Sequence, residues 1–161
     1  MSQSVVPFAR ALPARPAAPP VLDLESLEAT ATRLAGSAVW GTFQPLTANE
    51  RTYAMIAANE TYEAWVISWP VGCAIALHDH GRSYGAVRVL RGALVERSTN
   101  RSRSEGLGCR TLEEGEVVSF GPDHLHEIAN SSDRLALSIH VYSPPLATMT
   151  YYNDAMPSSR P

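Results

Sequence analysis

The sequence predicts a mostly β protein, built as an antiparallel sandwich or small barrel with one short helix packed outside it. Three observations support this fold class. From about residue 40 the chain is a series of short β-branched or aromatic runs bounded by glycine, proline, asparagine or aspartate. Helical spacing of apolar residues occurs before those runs and not among them. The 161 residues, 45% of them apolar, are about one domain long.

The chain begins with a predicted flexible tail, residues 1–20, whose prolines and alanines leave little that can pack into a core. A helix is predicted over residues 23–35, where leucine and alanine recur at helical spacing. Asp23 can cap its first turn, and the glycine that follows can end it. Residues 153–161 are predicted to form a second tail, so the folded domain spans residues 21–152.

Seven runs predict strands of this domain, because each combines β-branched or aromatic residues with turn-forming neighbours. They are RTYAMIAA (51–58), YEAWVISW (62–69), AVRVLRG (86–92), ALVERST (93–99), EVVSF (116–120), RLALSIHVY (134–142) and TMTYY (148–152). Residues 100–109 are expected to be the least ordered internal connection.

Charge and composition exclude several classes of function. A net charge of -3 and a pI near 5.9 give no basic face for nucleic acid or an anionic membrane. No apolar run approaches the ~20 residues that span a bilayer, so we expect a cytoplasmic monomer or small homo-oligomer. All 13 basic residues are arginine, which excludes Schiff-base chemistry and a P-loop lysine.

Two histidines, His78 and His80, lie one residue apart in the stretch ALHDHGRSYG. In a strand alternate side chains share a face, so both imidazoles point one way and Asp79 points the other. Two imidazoles at this spacing can hold a metal ion. Strand histidines satisfied by hydrogen bonds are the commoner interpretation of such a pair taken alone.

Glycines around these histidines complete a first motif, G-x5-H-x-H-x4-G-x6-G, from Gly72 to Gly92. A second motif, G-x5-G-P-D-x2-H-x3-N, runs from Gly115 to Asn130. The two resemble the motifs of the cupin superfamily, G-x5-H-x-H-x3-4-E-x6-G and G-x5-P-x-G-x2-H-x3-N. The resemblance implies a double-stranded β-helix, or jelly-roll, barrel that holds one metal ion.

Carried over by position, the resemblance implies His78, His80 and His126 as the metal ligands. Tyr84-Gly85 stand where a cupin usually has a glutamate ligand, so three imidazoles and no carboxylate are expected. Such a site is more cationic than a 2-His-1-carboxylate site and attracts anions such as a thiolate. His124 shares its strand parity with His126 and is the alternative third ligand, although spacing to the motif asparagine favours His126.

The stretch SIHVYSPPLATMTYY (138–152), together with HDHGRSYG and HEIAN, is similar to the cysteine dioxygenase family of thiol dioxygenases. The likeness covers roughly residues 36–152. It implies that Ser138, His140 and Tyr142 form a hydrogen-bonded triad beside Fe(II). Period two puts all three side chains on one face of a strand, as a relay requires. The alternative is a polar stripe whose tyrosine hydroxyl is satisfied locally.

This resemblance implies an enzyme that adds both atoms of O2 to the sulfur of a small thiol, by default L-cysteine, which becomes cysteine sulfinic acid. The oxidation takes four electrons, as many as O2 accepts, so no organic cofactor is needed beside Fe(2+). Animal members carry a cross-linked cysteine where Gly85 stands, so a bacterial-type member is the closer likeness. A cupin enzyme using another metal and a non-catalytic metal-binding cupin remain alternatives.

The family binds the substrate carboxylate with an arginine on an early strand, and Arg51 is the corresponding candidate. Arg51 fits only with a shift of about one residue, which would reverse its face on a strand. Arg82 and Arg88 are alternatives, each more typical of a solvated surface. If none reaches the site, the substrate is expected to be 3-mercaptopropionate or a thiol without a carboxylate.

Overall fold

The computed structural model of the protein describes residues 20–43, 49–102 and 106–152. The two predicted tails lie outside the described residues, apart from Pro20. Within these ranges no helix is both long and apolar enough to cross a membrane. The elements are α1 (Leu24–Ala35), a 3-10 turn (Ala38–Trp40), β1 (Thr52–Ala58), β2 (Glu63–Trp69), β3 (Ala74–His78), β4 (Tyr84–Arg91), β5 (Leu94–Asn100), β6 (Gly108–Leu112), β7 (Val117–Phe120), β8 (His124–Ala129) and β9 (Ala136–Ser143).

The strands form two antiparallel sheets, which confirms the predicted mostly β fold class. One sheet has the order β1-β2-β9-β4-β7, and the other has the order β3-β8-β5-β6. The sheets are hydrogen-bonded separately and do not close into a continuous barrel. An apolar core that includes Trp69, Val87, Leu94 and Ile128 draws residues from both sheets. The fold is therefore a two-sheet sandwich of the double-stranded β-helix kind.

Helix α1 covers the outer face of the five-stranded sheet, as predicted for a helix outside the barrel. Leu27, Ala31 and Leu34 are buried against outward-facing residues of β2, β4 and β9. Asp23 accepts a hydrogen bond from the backbone N–H of Ser26 at 2.8 Å, which satisfies a donor of the first turn. The helix boundaries predicted from the sequence are therefore confirmed.

Strand β9 is the centre of the five-stranded sheet and is buried along its whole length. Its outward residues Ile139 and Val141 pack beneath α1. Alternation then turns Ser138, His140 and Tyr142 towards the space between the sheets. A polar triad is thus carried into the interior by a strand that the helix covers from behind.

One strand prediction is wrong: the run TMTYY does not form a strand, since Tyr151 makes only an isolated bridge to His78. The connection expected at 100–109 lies partly outside the described residues, at 103–105. Its last two residues begin β6, where residues 108–112 pair with β5. All of β6 except Leu112 is exposed, so the backbone pairing with β5, rather than apolar content, makes this edge strand.

Candidate metal centre and active site

Three histidines meet between the sheets. His78 ends β3 and lies opposite His126 of β8 in the antiparallel register, while His80 follows β3 by two residues. The ring centroids lie 4.8 Å apart for His78 and His80, 4.7 Å for His78 and His126, and 4.9 Å for His80 and His126. One ring nitrogen from each lies within 4.8 Å of the others. The structure therefore brings together the three histidines of the two sequence motifs.

The nitrogen atoms of this cluster fit a metal ion. Both ring nitrogens of His80 and Nε2 of His126 are buried without a hydrogen-bond partner. The Nδ1 atom of His78 bonds the carbonyl of Ala76 at 2.7 Å, which leaves Nε2 as its available donor to a metal. Unpartnered buried polar atoms are costly. Three imidazoles that converge in this way are a donor set suited to a first-row divalent ion.

All three histidines are held in the neutral form that binds metals. Burial, followed by the neighbouring His126, lowers the pKa of His78 to about 4. Burial, together with His126 and His78, lowers the pKa of His80 further below its usual range. Burial also lowers the pKa of His126, despite the opposing effect of Glu96.

His124 turns to a different partner. Its Nε2 lies 3.1 Å from Oε1 of Glu96, and its ring stacks on Phe120 at 4.7 Å. The Nδ1 atom of His126 bonds the same carboxylate oxygen at 2.7 Å. The shared strand parity of His124 and His126 therefore holds, but the cluster with His78 contains His126 and not His124.

Glu96 is a site residue that sequence reasoning missed. Its side chain is fully buried, and its Oε2 accepts a hydrogen bond from Nε of Arg110 at 2.5 Å and forms an ion pair with Nη2 of the same residue. Burial alone would raise the pKa of Glu96, but hydrogen bonds from His124, His126 and Arg110 lower the pKa below its usual range. The available signal was parity, because Glu96 shares a strand face with the buried Leu94.

The predicted triad is hydrogen-bonded and reaches the histidines from the opposite sheet. Ser138 Oγ lies 2.9 Å from Nε2 of His140, and Nδ1 of His140 lies 3.2 Å from the hydroxyl of Tyr142. The Tyr142 ring stacks on His80 with centroids 5.1 Å apart. Burial raises the pKa of Tyr142 and lowers that of His140 well below its usual value, so the phenol is protonated and the imidazole neutral.

Trp69 sets the direction of the protons along this triad. Its indole Nε1–H donates to Ser138 Oγ at 2.8 Å, and Nε2 of His140 is the acceptor within reach of the buried Ser138 hydroxyl, so the Ser138 proton is directed there. His140 then carries its proton on Nδ1 and donates to the oxygen of Tyr142. The hydroxyl proton of Tyr142 is then not used in the bond to His140 and can be donated to another acceptor. Trp69 therefore does more than fill the core, and only its contact with Ser138 reveals this second role.

A cavity of about 220 Å³ adjoins the cluster, smaller than the ~300–1,000 Å³ of sites for drug-sized ligands. His78, His126, His140 and Tyr142 line one part of it, and Arg51 lines another. Apolar and aromatic residues form the remaining wall: Tyr53, Trp65, Ile67, Trp69, Ile75, Ile128, Leu146, Met149 and Tyr151. Among the described residues the lining contains no Asp or Glu, and Arg51 is its one arginine.

Of the three candidate arginines, Arg51 is the one that lines this cavity. It lies directly before β1, and its guanidinium stacks over the rings of Trp69 at 5.2 Å and Tyr53 at 5.8 Å. Arg88 instead donates to a threonine of α1 on the far side of the sheet. Arg82 is exposed.

The segment after β9 supplies part of the cavity wall through Leu146, Met149 and Tyr151. Its backbone is bound to the stretch that carries His78. The Asp79 N–H donates to the carbonyl of Thr150 at 3.0 Å, and the Tyr152 N–H donates to the carbonyl of Leu77 at 2.8 Å. Gly81, at φ +61°, lies against this segment, since a Cβ there would meet Thr148 Oγ1 at 2.5 Å.

Asp79 fastens this segment with its side chain. The buried carboxylate accepts hydrogen bonds from the Tyr152 hydroxyl at 2.6 Å, from the Gly81 N–H at 2.8 Å and from Arg101. Burial alone would raise the pKa of Asp79, but these hydrogen bonds lower the pKa below its usual value. Asp79 thus points away from the imidazoles, as strand alternation predicts, and fixes the wall beside them.

We expect Asp79→Asn to lower the free energy of unfolding by about 1–3 kcal/mol, because it leaves hydrogen-bond donors around a buried group poorly matched. Urea denaturation of the metal-free protein measures the effect. Glu127→Gln is the matched control, since it removes the partner of Arg97 in an exposed ion pair of 2.7 Å, worth at most about 1 kcal/mol. Equal losses in both variants would contradict a fastening role for Asp79.

Gly85 lies opposite Tyr142 in the sheet, and the ring of Phe120 fills the space above it. A Cβ at position 85 would lie 2.3 Å from that ring. Phe120 also contacts His80, with ring centroids 4.9 Å apart. The space beside Gly85, where the resemblance implies a cysteine in animal members, is therefore filled by the ring of Phe120.

The chain thus has a double-stranded β-helix fold with an imidazole cluster between its two sheets. Three solved structures of this fold are similar to the chain. One is a double-stranded β-helix protein from Klebsiella pneumoniae (TM-score 0.57, 17% identity, 72% of this chain and 95% of that chain). The second is an oxalate oxidase (TM-score 0.60, 14% identity, 71% of this chain and 62% of that chain). The third is the Cnp3 cupin domain of Schizosaccharomyces pombe (TM-score 0.50, 13% identity, 58% of this chain and 64% of that chain).

The family model described as cysteine dioxygenase type I matches residues 21–155. The protein belongs to the cysteine dioxygenase type I family. The family resemblance and the cupin fold predicted from the sequence motifs are thereby confirmed. Family membership and the clustered imidazoles together indicate a metal-binding enzyme of the thiol dioxygenase kind.

Proposed function

We propose that this protein is an Fe(II)-dependent thiol dioxygenase that converts a small carboxylate-bearing thiol, with L-cysteine as the first candidate, to its sulfinic acid. The observation that supports this best is the Ser138–His140–Tyr142 triad, whose tyrosine ring stacks on His80 of the imidazole cluster. A metal-binding cupin without this chemistry has no need of a buried hydrogen-bond relay at that place.

His78, His80 and His126 would hold the ion through their available ring nitrogens. Ferrous iron, when bound, supplies open coordination positions and the redox chemistry that unites a thiol with O2. The reaction balances without another reductant, because oxidation of a thiol to a sulfinic acid releases the four electrons that O2 takes up.

The residues of the chain then orient and stabilise the reactants. Because His140 donates to the oxygen of Tyr142, the Tyr142 O–H is free to donate a hydrogen bond into the cavity. Such a donor stabilises negative charge on the sulfur or oxygen atoms of the reacting pair. The apolar wall limits water, which strengthens this hydrogen bond.

Arg51 would bind the substrate carboxylate. Its guanidinium is held over Trp69, and no acid among the described lining residues competes for it. A planar guanidinium matches a carboxylate in a bidentate arrangement. This assignment predicts that thiols with a carboxylate are preferred over thiols without one.

Oxygen uptake by the iron-loaded protein tests the proposal, with L-cysteine, 3-mercaptopropionate and cysteamine assayed in parallel and the sulfinate product identified by mass spectrometry. We expect one O2 consumed for each sulfinate formed from a carboxylate-bearing thiol. If 3-mercaptopropionate is oxidised in preference to L-cysteine, the thiol dioxygenase function stands and only the assigned substrate changes. Absence of uptake with all three thiols would reject the dioxygenase function.

We expect Arg51→Gln to raise KM for the preferred carboxylate thiol by about 10-fold or more, because a hydrogen bond to a charged group contributes roughly 1.5–3 kcal/mol. The change in kcat should be smaller. Steady-state oxygen uptake gives both constants, and Arg88→Gln, which alters an arginine on the helix side of the sheet, is the control. An equal rise in KM for cysteamine would contradict carboxylate binding by Arg51.

A further inference from the structure

The carboxylate of Glu96 lies directly behind one of the three clustered imidazoles. Its Oε1 is 2.7 Å from Nδ1 of His126, and both side chains are fully buried. A carboxylate oxygen can only accept at this distance, so Nδ1 of His126 carries the ring proton. The Nε2 atom of His126, which has no hydrogen-bond partner, is then the atom with the free lone pair.

Three side chains hold this carboxylate. His124 Nε2 and His126 Nδ1 share Oε1, while Arg110 engages Oε2 through a hydrogen bond from Nε and an ion-pair contact from Nη2. Both carboxylate oxygens are thus engaged by protein groups. Glu96 is therefore placed to act on a metal ion through His126, although it also lies within 4.8 Å of the ring nitrogens of His124 and His126.

We propose that Glu96 is a positioning residue for the metal: it fixes the Nδ1–H form and the ring orientation of His126, while Arg110 and His124 hold the carboxylate in place. A carboxylate that accepts the second ring proton of a ligating histidine makes that imidazole a stronger donor. In this chain the arrangement supplies, one contact away from the ion, the negative group that the first motif lacks at Tyr84-Gly85.

Glu96→Gln tests the role, because glutamine keeps the size of the side chain but replaces one acceptor by an NH2 donor. That NH2 must face either Arg110, which is itself a donor, or His126, whose ring would then carry its proton on Nε2. Co(II) and Fe(II) are titrated into the metal-free protein under anaerobic conditions. We expect dissociation constants about 10–100-fold weaker than those of the wild type.

Glu127→Gln is the matched control, since Glu127 neighbours His126 in β8 but pairs with Arg97 at the surface. We expect its metal affinity to equal that of the wild type. A second measurement needs no variant: long-range 1H–15N correlations of the metal-free wild-type protein report which nitrogen of His126 bears the proton. We expect Nδ1–H there.

Wild-type affinity in Glu96→Gln, or an Nε2–H form of His126 in the wild type, would overturn the proposal. The inference rests on the proposed metal site but not on the thiol, and the two can fail separately. Weak metal binding by Glu96→Gln together with no oxygen uptake by the wild type would leave Glu96 in its role and reject the dioxygenase function.

Discussion

Replacing His126 with alanine is expected to abolish iron binding and thiol oxidation together. The variant removes one of three converging imidazoles and leaves His78 and His80 as a two-nitrogen site with an empty volume beside them. Loss of an outer partner of a metal ligand already costs about 10–100-fold in affinity, so loss of the ligand itself should weaken iron binding by more than ~100-fold. Iron content per chain after desalting and oxygen uptake on the same sample measure both effects.

His124→Ala is the matched control for this experiment. His124 lies two residues earlier on the same strand, and its Nε2 contacts Glu96 rather than the cluster of His78 and His80. We expect this variant to retain far more iron than His126→Ala, because all three clustered imidazoles remain and Arg110 still holds Glu96 against His126. Full iron in His126→Ala, or loss of iron in His124→Ala alone, would reverse the ligand assignment.

The sequence predicts well those features that depend on local spacing. The start of helix α1 follows from Asp23 and the apolar repeat behind it, which are properties of neighbouring residues. Six of the seven strand runs form strands, because β-branched and aromatic residues pack well in a half-buried sheet. The histidines of the two motifs converge because β3 and β8 pair with His78 opposite His126.

Features that depend on contacts between residues far apart in the chain cannot be predicted from local sequence patterns. Residues 148–152 have strand composition, yet their partner is the short stretch around Asp79, which permits only a bridge. Glu96 is recognisable as a site residue only once β5 lies beside β8 and its carboxylate meets His126. Trp69 reaches Ser138 from a strand 69 positions away, and no local pattern reports that contact.

Tyr142→Phe is expected to keep iron at the wild-type content and to lower kcat by about 100-fold or more. The ring still stacks on His80, so packing around the cluster is preserved. The substitution removes only the hydroxyl, which lies at the cavity and has a proton available to donate because His140 donates to its oxygen. Preorganised donors of this kind typically contribute 10²- to 10³-fold to kcat. Anaerobic iron titration and steady-state oxygen uptake separate binding from turnover.

Tyr62→Phe is the control, because it deletes a tyrosine hydroxyl whose partner is Arg33 on the helix side of the molecule. The Tyr142 proton is available only if Ser138 donates to His140 and His140 donates to Tyr142, the arrangement that the Trp69 indole favours. Trp69→Phe removes the indole donor, so the His140 proton can shift to Nε2 and the Tyr142 proton can turn back to His140. We therefore expect both Tyr142→Phe and Trp69→Phe to lower kcat while the iron content stays unchanged. If Tyr142→Phe instead turns over at the wild-type rate, the triad only packs the sheet.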